Sequence, residues 1–303
     1  MGKVLITGIT GFLGSHIAAE LLANNIAVIG LKRFGANIWR CEDFKDKITW
    51  IDIDADGEYK NYLASISFDA VIHCAWIGVE SEERDSWNEQ SKNIQFLIEL
   101  LSIAKSAGIK RFLFLGSQAE YGSISGKISE DEPAVALNAY GSIKLACLEI
   151  LRTFCSCNDI NWVWLRLFSV FGEKENDNWL IPSLVKTMLS AGQKDVTAGE
   201  QKYAYIYVKD FAGIIYKILR SEIADGIYNV SSNEVRSIRS LMENIRDQVN
   251  PSFSLNFGAL DYRNNQSMHM EGDISKLTKN IGEIEFTDFS VALKDTLNYY
   301  IKK

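Results

Sequence analysis

The run Val4-Leu5-Ile6-Thr7-Gly8-Ile9-Thr10-Gly11-Phe12-Leu13-Gly14 restricts what this chain can fold into more than any other segment. A short apolar stretch meets glycines at i, i+3 and i+6, and helical periodicity begins at Ser15. Apolar strand, glycine turn and helix in immediate succession open a β-α-β unit. In that setting the first glycine permits a tight turn and the second a close backbone approach. The third lets the helix pack against the strand. A plain strand-to-helix turn is the alternative.

The rest of the first half keeps this rhythm. Val4–Thr7, Ala27–Leu31, Ile48–Ile53, Ala70–Cys74, Phe112–Gly116 and Trp162–Phe168 read as strands. Ser15–Ala23, Tyr59–Ile66, Trp87–Ser106 and Ala139–Cys155 carry the helical period. Such alternation implies a doubly wound α/β fold with a parallel Rossmann sheet and right-handed crossovers. Beyond Gly172 the pattern loosens into the Pro182 turn, a helix through Met188 and a tract near Tyr203–Val208. We therefore expect residues 1–170 to form the Rossmann domain. Residues 171–303 mainly form a smaller substrate-binding lobe, with some segments returning to the first domain.

Bulk properties exclude several classes of function. A net charge of -7 and no basic cluster argue against nucleic-acid binding. No apolar run approaches the ~20 residues of a membrane span, and the first strand leaves no room for a leader. Five cysteines without framework spacing suit free thiols in a reducing compartment. Cys155-Ser156-Cys157 lacks a second ligand pair, so no metal is expected. Together these point to a soluble, cytoplasmic protein.

The glycine turn, with the N–H groups of Phe12 and Leu13 at the helix start, is suited to hold a pyrophosphate. Dinucleotide choice is then read at the end of the second strand. An NAD site places a carboxylate there for the ribose hydroxyls, but this chain has Gly30-Leu31-Lys32-Arg33. Two cations favour a 2′-phosphate, hence NADPH, with NAD as the other possibility. Lys32 and Arg33 as a solvated strand end is the alternative reading. Asp52-Ile53, closing the third strand, faces the adenine in this scheme; Asp52 as a turn cap is the alternative.

Tyr140 and Lys144 stand one helical turn apart, on one face of a helix. An ammonium beside a phenol favours phenolate, so Tyr140 is expected to be more acidic than the ordinary ~10. It then exchanges a proton with a substrate oxygen. Ser117, closing the strand Phe112–Gly116, can hydrogen-bond the same oxygen.

Thr7-Gly8-x-x-Gly11-x-x-Gly14, Ser117-x-x-x-Tyr121-Gly122, Tyr140-x-x-x-Lys144 and Leu165-Arg166-x-Phe168-x-x-Phe171-Gly172, in this order, resemble the extended short-chain dehydrogenase/reductase family. The nearest branch is that of nucleotide-sugar epimerases, dehydratases and reductases, most of all the 4-keto-6-deoxy-sugar 4-reductases. The resemblance implies a catalytic Ser117-Tyr140-Lys144 triad, with Lys144 also holding the nicotinamide ribose. It implies a backbone-tying role for Asn93 and a cofactor contact at Ala75, in His73-Cys74-Ala75, where His73 is structural. It further implies a nucleotide-diphosphate sugar as ligand, with Arg263 on the diphosphate and Ser117 and Gln118 beside the sugar. A surface salt bridge is the other reading of Arg263. Tyr203-Ala204 stands where many members carry Arg-Asp, so a second diphosphate arginine is missing. Relatives also pair two helices across a homodimer interface; Trp87–Ser106 and Ala139–Cys155 either do so here or only cover the sheet.

Two absences narrow the reaction. The resemblance calls for Asp-Glu after the Ser/Thr in dehydratases and for Cys two residues past it in epimerase-reductases. Here the positions are Gln118 and Ala119. The expectation is NADPH-dependent reduction of a C4 ketone, with an NAD-dependent 4-epimerase as alternative. A non-catalytic dinucleotide sensor is a third reading, against which the intact triad speaks.

Overall fold

The computed structural model describes residues 1–53, 56–190, 192–263 and 266–302. One parallel sheet takes its strands in the order Gly226–Val230, Asn161–Leu167, Arg111–Ser117, Ala70–His73, Lys3–Thr7, Ala27–Arg33 and Ile48–Ile53. Successive β-α units run outward in both directions from Lys3–Thr7. The order therefore reverses between Lys3–Thr7 and Ala70–His73, and a crevice opens beyond the carboxyl ends of those strands, where such folds bind ligands.

Helices cover both faces of the sheet, which is why its strands read as continuous apolar runs rather than alternating ones. On one face Phe12–Ala23 and Val208–Arg220 pack together, burying Ile17, Leu21, Phe211 and Ile215 against Val4, Ile6 and Val28. On the other, Trp87–Ser106 and Ala139–Ser156 bury Leu97, Leu101, Cys147 and Leu151 against Leu5, Val71, Phe112 and Phe114. The helix expected over Trp87–Ser106 has those bounds. The strand Ala27–Arg33 outlasts its apolar run because pairing with Ile48–Ile53 carries it on, Lys32 opposite Asp52 and Arg33 opposite Ile53.

A second sheet, mixed in direction, joins Val235–Ser237, Lys202–Tyr207, His269–Gly272 and Gly126–Ile128, with Ser169–Phe171 also on Lys202–Tyr207. Helices Leu180–Ser190, Ile238–Val249 and Phe289–Ile301 close over their own core of Leu184, Val185, Leu241, Ile245 and Leu293. The chain passes between the two sheets repeatedly. Gly126–Ile128 leaves the first half for the second sheet, whereas Val208–Arg220 and Gly226–Val230 return to the first. Among the described residues no helix is long and apolar enough to cross a membrane. All five cysteines are free.

Candidate active site

The glycine turn sits at the sheet's reversal point. Gly8 has φ +66°, a left-handed conformation that side chains disfavour. A Cβ there would lie 2.6 Å from the backbone nitrogen of Ala75, and one on Gly14 would lie 2.4 Å from the carbonyl oxygen of Gly8. The turn is therefore packed on the end of the fourth strand on one side and on its own helix on the other. Gly11 precedes the helix Phe12–Ala23 and no side chain caps it. The first N–H groups, Phe12 and Leu13 among them, thus form an anion cradle without a competing protein acceptor. These residues fit a dinucleotide pyrophosphate.

Beside the cradle, Thr7 Oγ1 accepts from Ala75 N (3.2 Å) and contacts His73 Nδ1 at 2.6 Å. His73 is buried, and burial drives its pKa down to about 3, so the ring is neutral. Asn93 Oδ1 accepts from Ile77 N (2.8 Å) while its Nδ2 donates to the carbonyls of Ile77 and Gln90. One buried amide thereby ties the segment after the fourth strand to the helix Trp87–Ser106.

At the ends of the second and third strands, Lys32 forms an ion pair with Asp52. Arg33 is exposed and makes no ion pair among the described residues. The two expected cations thus have different situations: Lys32 is braced by a carboxylate, and Arg33 is left facing solvent. Arg40, which the sequence reading passed over, donates to Thr10 O and Lys174 O and to Asn176 Oδ1, bridging the glycine turn to the 174–176 loop.

The helix carrying Tyr140 and Lys144 begins at Asn138, whose side chain accepts from Gly141 N (2.9 Å), while Tyr140 N donates to Arg84 O (2.9 Å). The N–H groups of Tyr140 and Gly141 are so satisfied, and the tyrosine is fixed at the helix start. A Cβ on Gly141 would come 2.7 Å from the Ala119 carbonyl oxygen, so glycine there lets the helix abut the turn Gln118–Tyr121. Across that contact the hydroxyls of Ser117 and Tyr140 interact. Lys144 is buried: its Nζ donates to Leu115 O at 2.6 Å and lies 3.7 Å from the Trp76 ring centroid. Ser117, Tyr140 and Lys144 are therefore brought together.

The expected acidity of Tyr140 is not found. Burial pushes its pKa up, opposed by the Ser117 hydroxyl and the Arg84 guanidinium. Lys144 directs its Nζ to Leu115 and Trp76 instead, 5.7 Å from the tyrosine ring centroid. Its own pKa falls to about 8, again through burial. Tyr140 is a hydroxyl at neutral pH, the state of a proton donor.

Two residues missed in the sequence flank the triad. Arg84 stacks 5.0 Å from the Tyr140 ring centroid and 5.8 Å from that of Trp179. Glu120 is fully buried, accepts from Ser117 N (2.7 Å) and pairs with Arg166 (2.8 Å). Its signature was legible: Ser117-x-x-Glu120 is a capping box, and both of its hydrogen bonds are present. Gln118 and Ala119 are partly buried on the same turn and offer no acid or base.

The turn also connects the triad to the second sheet. Tyr121 packs with Ile128, Phe168, Met270 and Tyr203. The Tyr203 hydroxyl donates to Ser267 O, accepts from Gln266 Nε2 and feels the charge of Arg263, which is exposed. Tyr203 and Arg263 are thus neighbours on the lobe that faces Ser117 through Tyr121.

Residues 4–231 match the model of the NAD dependent epimerase/dehydratase family. CDP-abequose synthase of Salmonella muenchen is 26% identical over 289 residues, covering 94% of each chain. dTDP-6-deoxy-L-talose 4-dehydrogenase (NAD(+)) of Aggregatibacter actinomycetemcomitans is 24% identical, with 89% of this chain and 99% of that one covered. Among solved structures, UDP-N-acetylglucosamine 4-epimerase from Methanobrevibacter ruminantium M1, in complex with UDP-N-acetylmuramic acid, superposes with a TM-score of 0.89 at 25% identity, covering 99% of this chain and 98% of that one. With a family match across most of its length and a glycine turn and Ser-Tyr-Lys site assembled as described, the chain belongs to the NAD dependent epimerase/dehydratase family.

Proposed function

We propose that this protein, an NAD(P)-dependent enzyme acting on nucleotide sugars, is an NADPH-dependent reductase of the C4 ketone of a nucleotide-linked 4-keto-6-deoxy sugar. The observation that carries the reading is the chemistry available around Tyr140. The turn Gln118–Tyr121 contains one carboxylate, Glu120, and it is fully buried and bonded to Arg166 and Trp164. No acid or base on that turn reaches a substrate carbon, which disfavours elimination and leaves hydride transfer with one proton. The relatives named for abequose synthesis and for a 6-deoxy-talose 4-dehydrogenase fit the C4 chemistry of this reading, while the name of the second gives NAD(+) as its cofactor.

A dinucleotide held by the glycine turn would supply the hydride for the carbonyl carbon. Ser117 donates a hydrogen bond to the carbonyl oxygen and orients it. Tyr140 gives its hydroxyl proton to the same oxygen, and the alkoxide charge that develops there is quenched as it forms. Arg84, 5.0 Å from the ring centroid, then stabilises the phenolate left behind. We assign Gly8, Gly11, Phe12, Leu13, Gly14 and Ala75 to the cofactor, Arg33 to its 2′-phosphate, and Arg263 with Tyr203 to the sugar diphosphate. A cytoplasmic homodimer is part of the same proposal.

The Lys32–Asp52 pair favours a second reading, an NAD-dependent 4-epimerase. It places a carboxylate beside the second strand's end, where a ribose hydroxyl acceptor serves NAD. Fluorescence titration with NADPH and NADH separates the two. Tighter NADPH binding is expected, and NADH bound at least as tightly would remove the case for a reductase over an epimerase.

A further inference from the structure

Glu120 is more deeply placed than an ion pair with Arg166 requires. Gly116 is what admits it: a Cβ there would lie 2.6 Å from Glu120 Oε1 and 2.1 Å from Trp164 Nε1. Oε2 takes Arg166 Nε at 2.8 Å, whereas Oε1 takes Ser117 N at 2.7 Å, and Trp164 Nε1 lies 3.0 Å from both. Every partner is a donor, so the group sits there as a carboxylate. Buried ion pairs are commonly replaceable by apolar residues without loss of stability. Here one of the two oxygens is directed to the triad serine instead.

The surroundings connect the same charge to Lys144. Trp164 stacks on Phe114 at 4.1 Å, and Phe114 lies under the Lys144 ammonium at 5.1 Å. The charged and titratable groups around this core are few. Arg166 comes from the strand Asn161–Leu167, and Tyr121 from the turn itself. Tyr140, Lys144 and Cys147 come from the facing helix; His73 and Cys74 from the fourth strand's end; Arg84 and Glu130 lie at the margins. Cys74 and Cys147 are neutral, since burial raises both thiols, and His73 is neutral as well. Burial raises the Glu120 pKa, opposed by the Arg166 guanidinium, the Ser117 N–H and the Lys144 ammonium; with donors on both oxygens, Glu120 is the buried negative charge that acts on Lys144.

We propose that Glu120 is a positioning residue of the Ser117-Tyr140-Lys144 set: it fixes Ser117 through its backbone N–H and supplies the buried negative charge against which Lys144 keeps its proton. The same charge disfavours a phenolate at Tyr140, which keeps that residue a donor. The inference rests on the reductase reading for its purpose, and its test does not.

The test is carbon-13 NMR of protein labelled at lysine Cε, titrated with pH, with the Lys144 signal identified by its loss in Lys144→Met. In the unaltered protein the midpoint is expected near 8. In Glu120→Gln it should fall by about one pH unit, the order expected when a nearby buried unit charge is removed. The basic limb of the NADPH oxidation profile should move the same way. Because Glu120→Gln leaves Arg166 without its carboxylate, the double variant Glu120→Gln/Arg166→Met, which removes both charges, serves if the single variant does not fold. A lowered midpoint in Glu120→Gln, or in the double variant compared with Arg166→Met alone, supports the role. An unchanged midpoint in the same comparison, with the variants folded, overturns it and leaves Glu120 as a structural partner of Arg166. Should no 4-keto sugar be reduced by the unaltered protein, the reductase reading fails while the NMR result stands.

Discussion

Replacing Lys144 by Met should make the protein more stable while removing its activity. The ammonium is 4% exposed, and it keeps one short hydrogen bond, to Leu115 O, and the face of Trp76. A fall from the ordinary 10.5 to about 8 means that burial disfavours the charged form by about 3 kcal/mol at pH 7, at ~1.36 kcal/mol per pH unit. Contact with the Trp76 ring offsets roughly 1–2 kcal/mol of this. Met keeps the apolar stem without the charge, so Lys144→Met is expected to gain about 1–2 kcal/mol. The unfolded chain holds the lysine proton up to about 10.5 and the folded chain up to about 8. Stability of the unaltered protein therefore rises with pH through that window, and the variant's advantage shrinks there. Urea unfolding at pH values from 7 to 10.5 measures both effects. A variant less stable at pH 7, or a gap that does not narrow between 8 and 10.5, would refute the argument.

Three other substitutions probe the remaining parts of the site. Tyr140→Phe should lose nearly all turnover and still bind cofactor, since only the hydroxyl is removed; turnover close to that of the unaltered enzyme would show that another group gives the proton. Gly14→Ala puts a Cβ 2.4 Å from the Gly8 carbonyl oxygen, so the turn must shift, lowering stability by about 1–3 kcal/mol and weakening dinucleotide binding in a calorimetric titration. Arg263→Ala should raise KM for the nucleotide sugar by about tenfold or more with little change in kcat, the loss of one charge-assisted contact; an unchanged KM would return Arg263 to a surface role.

Much of this was legible in the sequence, for identifiable reasons. Trp87–Ser106 is long and carries its period throughout, so its ends could be read directly. The glycine turn declares itself because close packing tolerates no side chain at Gly8 or Gly14. The second sheet was harder to read. Gly126–Ile128 and His269–Gly272 are three and four residues long and pair with partners far away in the chain. Nothing local marks such strands. Gly226–Val230 likewise belongs to the first sheet through pairing with Asn161–Leu167, a contact of tertiary origin. In the site, residue types and spacing located Ser117, Tyr140 and Lys144 but gave the wrong sign for the tyrosine's acidity. Proximity in sequence said that an ammonium was near; burial and the direction of Lys144 Nζ, which only packing decides, set the outcome. Glu120 escaped notice because its neighbours Gln118 and Ala119 were read for what they lack, although its capping-box spacing was present.

The central claim is that this site delivers one hydride and one proton to a C4 ketone. Its most direct test mixes the enzyme with NADPH and nucleotide-linked 4-keto-6-deoxy sugars, follows cofactor absorbance and identifies the sugar product. One NADPH oxidised for each ketone converted to a 4-hydroxy sugar is the expected result. Interconversion of 4-hydroxy sugars without net NADPH oxidation would contradict it and establish an epimerase.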